Sequence, residues 1–228
     1  MILDAVFAAI QQIFTPPFRR VFDKTLALTL LLLVFVFVAA ERLLVHFLVL
    51  PSSLLTVSLA VLAGIALVVG FAFAITPVSF IVGGFFFDEV AQIVEAEIDP
   101  ANPGVTPPFA EQALVAAKFA ALALVLNLAA LFLLLIPGLN AVAFLIVNAY
   151  LLGRGYFEFA ALRYRQIEDV KRVRQAHELQ IFLAGLAIAS LAAVPLANLL
   201  TPLFGAALMV RLHRSFSRQT PLAARRKP

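Results

Sequence analysis

Two apolar stretches without a charged residue, 119–153 and 179–210, are each interrupted near the middle by the same small signal. The first breaks at Pro137-Gly138-Leu139-Asn140 and the second at Pro195-Leu196-Ala197-Asn198. The flanking arms are roughly 12 to 18 residues, or about 18–27 Å of helix at 1.5 Å per residue. A hydrocarbon core is about 30 Å thick. Proline removes a backbone donor and ends a helix, and Gly or Asn supplies the turn. The pattern therefore predicts two short helical hairpins that enter a membrane and turn back before crossing it. Irregular backbone at that depth must be covered by protein or face a water-filled cavity. Such a pattern is more typical of a transport pathway than of an anchor.

Composition agrees with a membrane setting. Of 228 residues, 63% are hydrophobic and 13% charged, with a mean hydropathy of +1.04. Soluble domains carry about 25% charged residues, so the chain reads as an integral membrane protein. The apolar blocks recur well inside the chain, which argues against a cleaved leader as their origin. Cysteine is absent, excluding disulfides, thiol nucleophiles and Cys-ligated metals. Trp is absent too, leaving Phe and Tyr for interfacial roles. The net charge of +4 sits at the ends of apolar blocks, which fits membrane orientation better than nucleic-acid binding.

The expected fold is an all-α integral membrane protein with one membrane domain over 1–228. Residues 1–17 form an amphipathic interfacial helix, with Ile2, Leu3, Val6, Phe7, Ile10, Ile13 and Phe14 on one side and Asp4, Gln11 and Gln12 on the other. The alternative is an ordinary helix packed on the protein body. A first long transmembrane helix covers 18–50, and a second with a cytoplasmic extension covers 54–98. The two partly penetrating, re-entrant hairpins cover 108–165 and 175–218, and 219–228 is a basic tail. Lys and Arg cluster in the N-terminal flank, between the hairpins and in the tail. All three can be cytoplasmic, with both termini inside, if the hairpins re-enter.

Few residues are candidates for chemistry. His46, His177 and His213 lie far apart in sequence and outside metal-ligand spacings. No phosphate loop or nucleophile elbow is present, so no catalytic residue, metal or cofactor is expected. Asp88, Glu95 and Asp99 share a helix side and could hold a cation, although such runs are more often solvated faces. At Thr15-Pro16-Pro17-Phe18-Arg19-Arg20, a Thr cap and two prolines start a helix. The amides of Phe18 and Arg19 should then be free, beside two guanidiniums suited to tetrahedral oxyanions. The competing reading is a pair of arginines touching lipid headgroups. Asn127, Asn140, Asn148 and Asn198 lie within or at the tips of the hairpins. They can line a pathway or serve as helix–helix glue. Arg154 and Glu158, four apart where the first hairpin ends, can pair with each other.

The run from Ile136-Pro137-Gly138-Leu139-Asn140 to Asn148-Ala149-Tyr150-Leu151-Leu152-Gly153-Arg154-Gly155-Tyr156-Phe157-Glu158-Phe159 resembles the signature of the CysZ-type sulfate permeases and the wider etoposide-induced protein family. The Pro17-Phe18-Arg19-Arg20 turn and Phe85-Phe86-Phe87-Asp88 also fit that resemblance. It implies a multi-pass bacterial inner-membrane permease that imports sulfate for cysteine biosynthesis, assembled as a homodimer or higher oligomer. It also implies a sulfate site at Pro17, Phe18, Arg19 and Arg20. One departure is Phe159-Ala160-Ala161-Leu162-Arg163-Tyr164, where better-known members carry a Tyr-Leu-Asp-Tyr-like run. The functional expectation is import of sulfate or a similar oxyanion. The rival expectation is a non-transporting membrane scaffold or lipid-interacting protein.

Overall fold

A computed structural model describes residues 2–47, 62, 64, 85–133, 140–194 and 197–219. Every regular element among them is helical. The chain divides into two compact units, residues 20–86 and residues 1–19 with 87–228.

The first of these is represented by α2, which begins at Pro16 and runs to Phe47. From Leu26 to Ala40 it carries no charge, and Asp23 and Lys24 precede that run while Glu41 and Arg42 follow it. Val21, Thr25, Thr29 and Leu33, spaced by four, form a buried stripe, whereas Leu30, Leu31, Val34, Phe35 and Val36 are exposed. The Thr25 hydroxyl donates to the Val21 carbonyl at 2.8 Å, the back-bond a helical Thr can make to the preceding turn. Among the described residues, Pro16–Arg42 is the one helix long and apolar enough to cross a membrane, at 27 residues and mean hydropathy 2.3. The expected second span lies almost entirely outside the described residues.

The other unit is built around α5 (Asn140–Leu162). Its neighbours are α4 (Phe109–Leu133), α6 (Ile167–Ala176), α7 (Glu178–Ala192) and α8 (Thr201–Gln219). The short helix α3 (Phe87–Ile98) and the first helix α1 (Ile2–Ile13) both pack on α8. A 3-10 turn, Ala197–Leu200, leads into α8. The tightest approach joins the two expected hairpins through α5 and α7. A Cβ placed on Gly153 would lie 2.6 Å from the Ile181 carbonyl oxygen. A Cβ on Gly185 would meet the Ala149 carbonyl and the Gly153 backbone. Small residues at this crossing let the two backbones touch, as in membrane helix pairs generally. Residues 201–210 of α8 are buried without exception, from Thr201 to Val210. Protein contact on all sides therefore explains why that arm is apolar all round.

The arms of the first hairpin outrun their apolar cores. Helix α4 has 25 residues because it starts before Glu111 and Lys118, and α5 has 23 because it continues through Arg154 and Glu158. Helix α7 has only 15. The turns at Pro137-Gly138-Leu139 and Pro195-Leu196 lie outside the described residues.

Helix α1 divides its faces differently from its sequence pattern. Leu3, Phe7, Ile10 and Phe14 are exposed, while Ala9, Gln12 and Ile13 are buried, with α7 and α8 as its neighbours. Gln12, expected on the polar side, is buried because its amide has partners. Its Nε2 donates to Glu97 Oε2 at 2.5 Å and its Oε1 accepts from Arg211 Nη2 at 2.8 Å.

Candidate functional site

At the start of α2, Phe18 is wholly buried while Pro16, Pro17, Arg19 and Arg20 are more open to solvent. The preceding turn closes with the Thr15 amide donating to the Gln12 carbonyl at 3.0 Å, and the Thr15 hydroxyl donates to the same oxygen at 2.6 Å. One expectation needs correction. The Arg19 amide donates to the Thr15 carbonyl at 3.0 Å, so it is not available to an anion. With Thr15 at the cap, Arg19 is the fourth helical residue and its N–H closes the first turn. The two prolines carry no N–H, which leaves the Phe18 amide as the donor of this turn without an intrahelical acceptor.

The acidic run at 88–99 is not a solvated face. Glu95 is buried and receives the Arg163 guanidinium as a fork, Nε to Oε1 at 2.7 Å and Nη2 to Oε2 at 3.0 Å. Arg163 also bonds Asp88 through Nη1. The side chains of Arg163 and Glu95 are 1% and 2% exposed. Three neutral groups complete this site. The Tyr164 hydroxyl donates to Glu95 Oε1 at 2.7 Å, the Gly104 amide donates to Oε2 at 3.1 Å, and the Val105 amide donates to the Arg163 carbonyl at 2.8 Å. Burial, and then the Glu95 carboxylate, hold the Tyr164 phenol well above its usual pKa. Asp99 pairs with Arg214 on α8. The cations that these three acids hold are thus guanidiniums, and among the described residues no acid or His cluster could hold a metal.

A second arginine enters the same interior. Arg165 donates from Nε to His213 Nε2 at 3.2 Å and from Nη2 to Ser217 Oγ at 2.9 Å. The geometry makes His213 Nε2 an acceptor, so the ring is neutral with its proton on Nδ1. Burial and the Arg165 charge push the His213 pKa down to about 3. Burial likewise lowers the Arg165 pKa, opposed by the charge of Asp169. The Tyr164 ring stacks on His213 at 4.9 Å, and the Arg214 guanidinium lies over the Tyr164 ring at 5.0 Å from its centroid. Arg163 and Arg165 were legible only as two charges in a basic segment. Their one sequence signal is position, directly after the apolar run Phe159–Leu162 that carries them inward.

At the base of the first hairpin, Arg154 Nε meets Glu158 Oε1 at 2.9 Å, as their spacing predicts. Arg174 on α6 reaches the same oxygen at 3.2 Å, a partner that sequence spacing could not supply. Among the hairpin asparagines, Asn148 is half-buried on α5. Asn198 is half-buried in the 3-10 turn, its backbone N–H on the Val194 carbonyl at 3.0 Å. Asn140 begins α5 and Asn127 lies in α4, and their side chains are outside the described residues. The structure thus brings Arg154 and Glu158 together on α5, the helix that also carries Asn140 and Asn148, while Asn127 and Asn198 lie on other elements.

Residues 5–202 match the family described as "Sulfate transporter CysZ/Etoposide-induced protein 2.4". The chain belongs to this family. The description of the sulfate transporter CysZ/etoposide-induced protein 2.4 family names a transporter, which accords with the apolar α2. The matched segment includes the basic turn, both acids on Arg163, and the Arg154–Glu158–Arg174 group. The α8 side chains Arg211, His213, Arg214 and Ser217 lie beyond it. No individual curated protein matches the chain.

Proposed function

We propose that the chain is a multi-pass permease of the bacterial inner membrane that imports sulfate, or a similar oxyanion, for cysteine biosynthesis. The observation that carries this reading is family membership across residues 5–202. The substrate enters at the Pro17-Phe18-Arg19-Arg20 turn, where two exposed arginines stand at a helix start with Phe18 buried beneath them. Guanidinium forks match tetrahedral oxyanions, and the helix dipole adds to the attraction. Asn127, Asn140, Asn148, Arg154, Glu158 and Asn198 are the candidates for the pathway beyond. The functional unit is a homodimer or larger, because two partly inserted hairpins cannot enclose a pore alone and a second copy can cover turn backbone that lipid cannot satisfy.

Removing either arginine should weaken sulfate binding about tenfold or more, since a charge-assisted hydrogen bond contributes roughly 1.5–3 kcal/mol. Lys at either position should restore only part of the loss, because it supplies charge without fork geometry. The measurement is sulfate titration of purified Arg19→Ala, Arg20→Ala and the two Lys variants at constant ionic strength. Unchanged affinity in both Ala variants would remove this turn from the mechanism. One observation favours a second reading, a lipid-interacting scaffold. The exposed stripe Leu3, Phe7, Ile10 and Phe14 suits a membrane interface. Sulfate flux into vesicles reconstituted with the chain decides between the two readings.

A further inference from the structure

Two arginine–carboxylate groups in this protein are built in opposite ways. Arg163 and Glu95 use both carboxylate oxygens in a closed fork, with side chains 1% and 2% exposed. Arg154 and Arg174 instead share one oxygen, Glu158 Oε1, each through its Nε. Their side chains stay 22% and 13% exposed. The Arg174 contact is an ion pair only, since its buried Nε–H makes no hydrogen bond. A single carboxylate between two guanidiniums leaves one unit of positive charge uncompensated. Tyr150 is a further hydrogen-bond partner of Arg154, but it is neutral. Among the described residues, no second carboxylate pairs with either arginine. Glu158 can satisfy only part of the ten N–H donors that two guanidiniums carry.

We propose that Arg154, Arg174 and Glu158 form a second oxyanion seat, distinct from the basic turn, in which Glu158 is a built-in competitor that an incoming divalent oxyanion displaces. A tetrahedral dianion offers four acceptor oxygens and two charges, whereas Glu158 offers one engaged oxygen and one charge. The exchange is therefore favourable on entry and reversible on exit, because the carboxylate stays tethered one helical turn from Arg154 and returns when the anion leaves. A seat of this kind holds an anion without trapping it. Arg163 with Glu95 and Asp88 cannot act this way, since its guanidinium is already matched by two carboxylates and sealed from solvent. The identity of the oxyanion as sulfate rests on the transport reading, and the seat itself does not.

The test uses the full chain in detergent, in an Arg19→Ala/Arg20→Ala background that removes the first site, titrated with inorganic sulfate at constant ionic strength. Glu158→Gln should tighten sulfate binding about tenfold or more, since it removes the competing charge while keeping a hydrogen-bonding side chain. Adding Arg174→Gln should abolish that gain, and Arg174→Lys should keep part of it. A purely structural triad forecasts the opposite sign. Glu158→Gln would then leave two arginines repelling each other, lower the unfolding temperature, and bind sulfate no better. Unchanged or weaker affinity overturns the seat. If Glu158→Gln is poorly folded without anion, millimolar sulfate should raise its unfolding temperature more than that of the parent, and an equal or smaller shift also overturns it. Vesicle flux is read separately. A parent chain without sulfate flux refutes the permease reading, while the seat still stands or falls on how sulfate affinity responds to Glu158→Gln.

Discussion

Arg163 is the side chain with most to lose from a single change. It is matched by Asp88 at a partly exposed rim and by Glu95 where both side chains are sealed from solvent, so removing it leaves the buried Glu95 carboxylate uncompensated. Breaking such a pair costs about 3–5 kcal/mol, and Arg163→Met should destabilise the protein by that order. Denaturant unfolding in detergent, compared with Arg172→Met on the exposed face of α6, would check it. Equal stability of the two variants would contradict the buried-pair account. His213 makes a forecast in pH. Its pKa is about 3 in the folded protein against 6.5 for an ordinary His. Between those values the unfolded chain binds a proton that the native state refuses. The neutral ring's full contribution is present above pH 6.5 and is lost as pH falls toward 3, by about 1.4 kcal/mol per unit at most. Stability measured from pH 7.5 to 5 should therefore fall more steeply in the parent than in His213→Gln, by nearly one proton. Parallel slopes would mean that His213 is not held neutral. Neither residue's role was readable from sequence. A charge pattern names charges without their partners, and the partners of Arg163 lie 68 and 75 positions away.

Among the elements, α5 and α7 carry the most exacting contact. Gly153 and Gly185 leave no room for a Cβ, because the neighbouring atoms are backbone and cannot swing aside. Gly185→Leu should force the helices apart and uncouple the two hairpins, with loss of folded protein or a large drop in unfolding temperature. Leu183→Ala on the exposed side of α7 should be nearly silent. Comparable effects from both would rule out the close approach as the source of stability. The helical content and the division of each apolar stretch into separate helices were legible because Pro, Gly and uncharged runs are local signals. What joins the helices was not, since a glycine in an apolar run looks the same whether it faces lipid or another backbone. Helix α1 shows the same limit. Its apolar stripe marked a two-faced helix, yet which face would be buried turned on Glu97 and Arg211, the distant groups that satisfy Gln12.

For the whole molecule, the depth of the hairpins decides whether they would add full crossings to the expected spans. Helix α7, with 15 residues, is about 22 Å long, short of a core of about 30 Å. Helix α4 is longer, but its first turns carry Glu111 and Lys118, which belong near the polar boundary. The complete burial of residues 201–210 also means that apolarity there answers to protein contact rather than to a need to span lipid. The expectation is that Asn140 and Asn198 approach the far side of the membrane without becoming freely exposed on it. The cysteine-free sequence makes this directly measurable. Asn140→Cys and Asn198→Cys, introduced singly, should react slowly and incompletely with a membrane-impermeant thiol reagent added outside intact cells, and readily once the protein is unfolded in detergent. A cysteine replacing Ser52, in the turn between the two expected spans, provides the fully accessible reference. If either hairpin position labels as fast as position 52, that hairpin crosses the membrane. The basic segment between the hairpins and the tail would then both still be cytoplasmic, but the re-entrant architecture would give way to a chain of full spans.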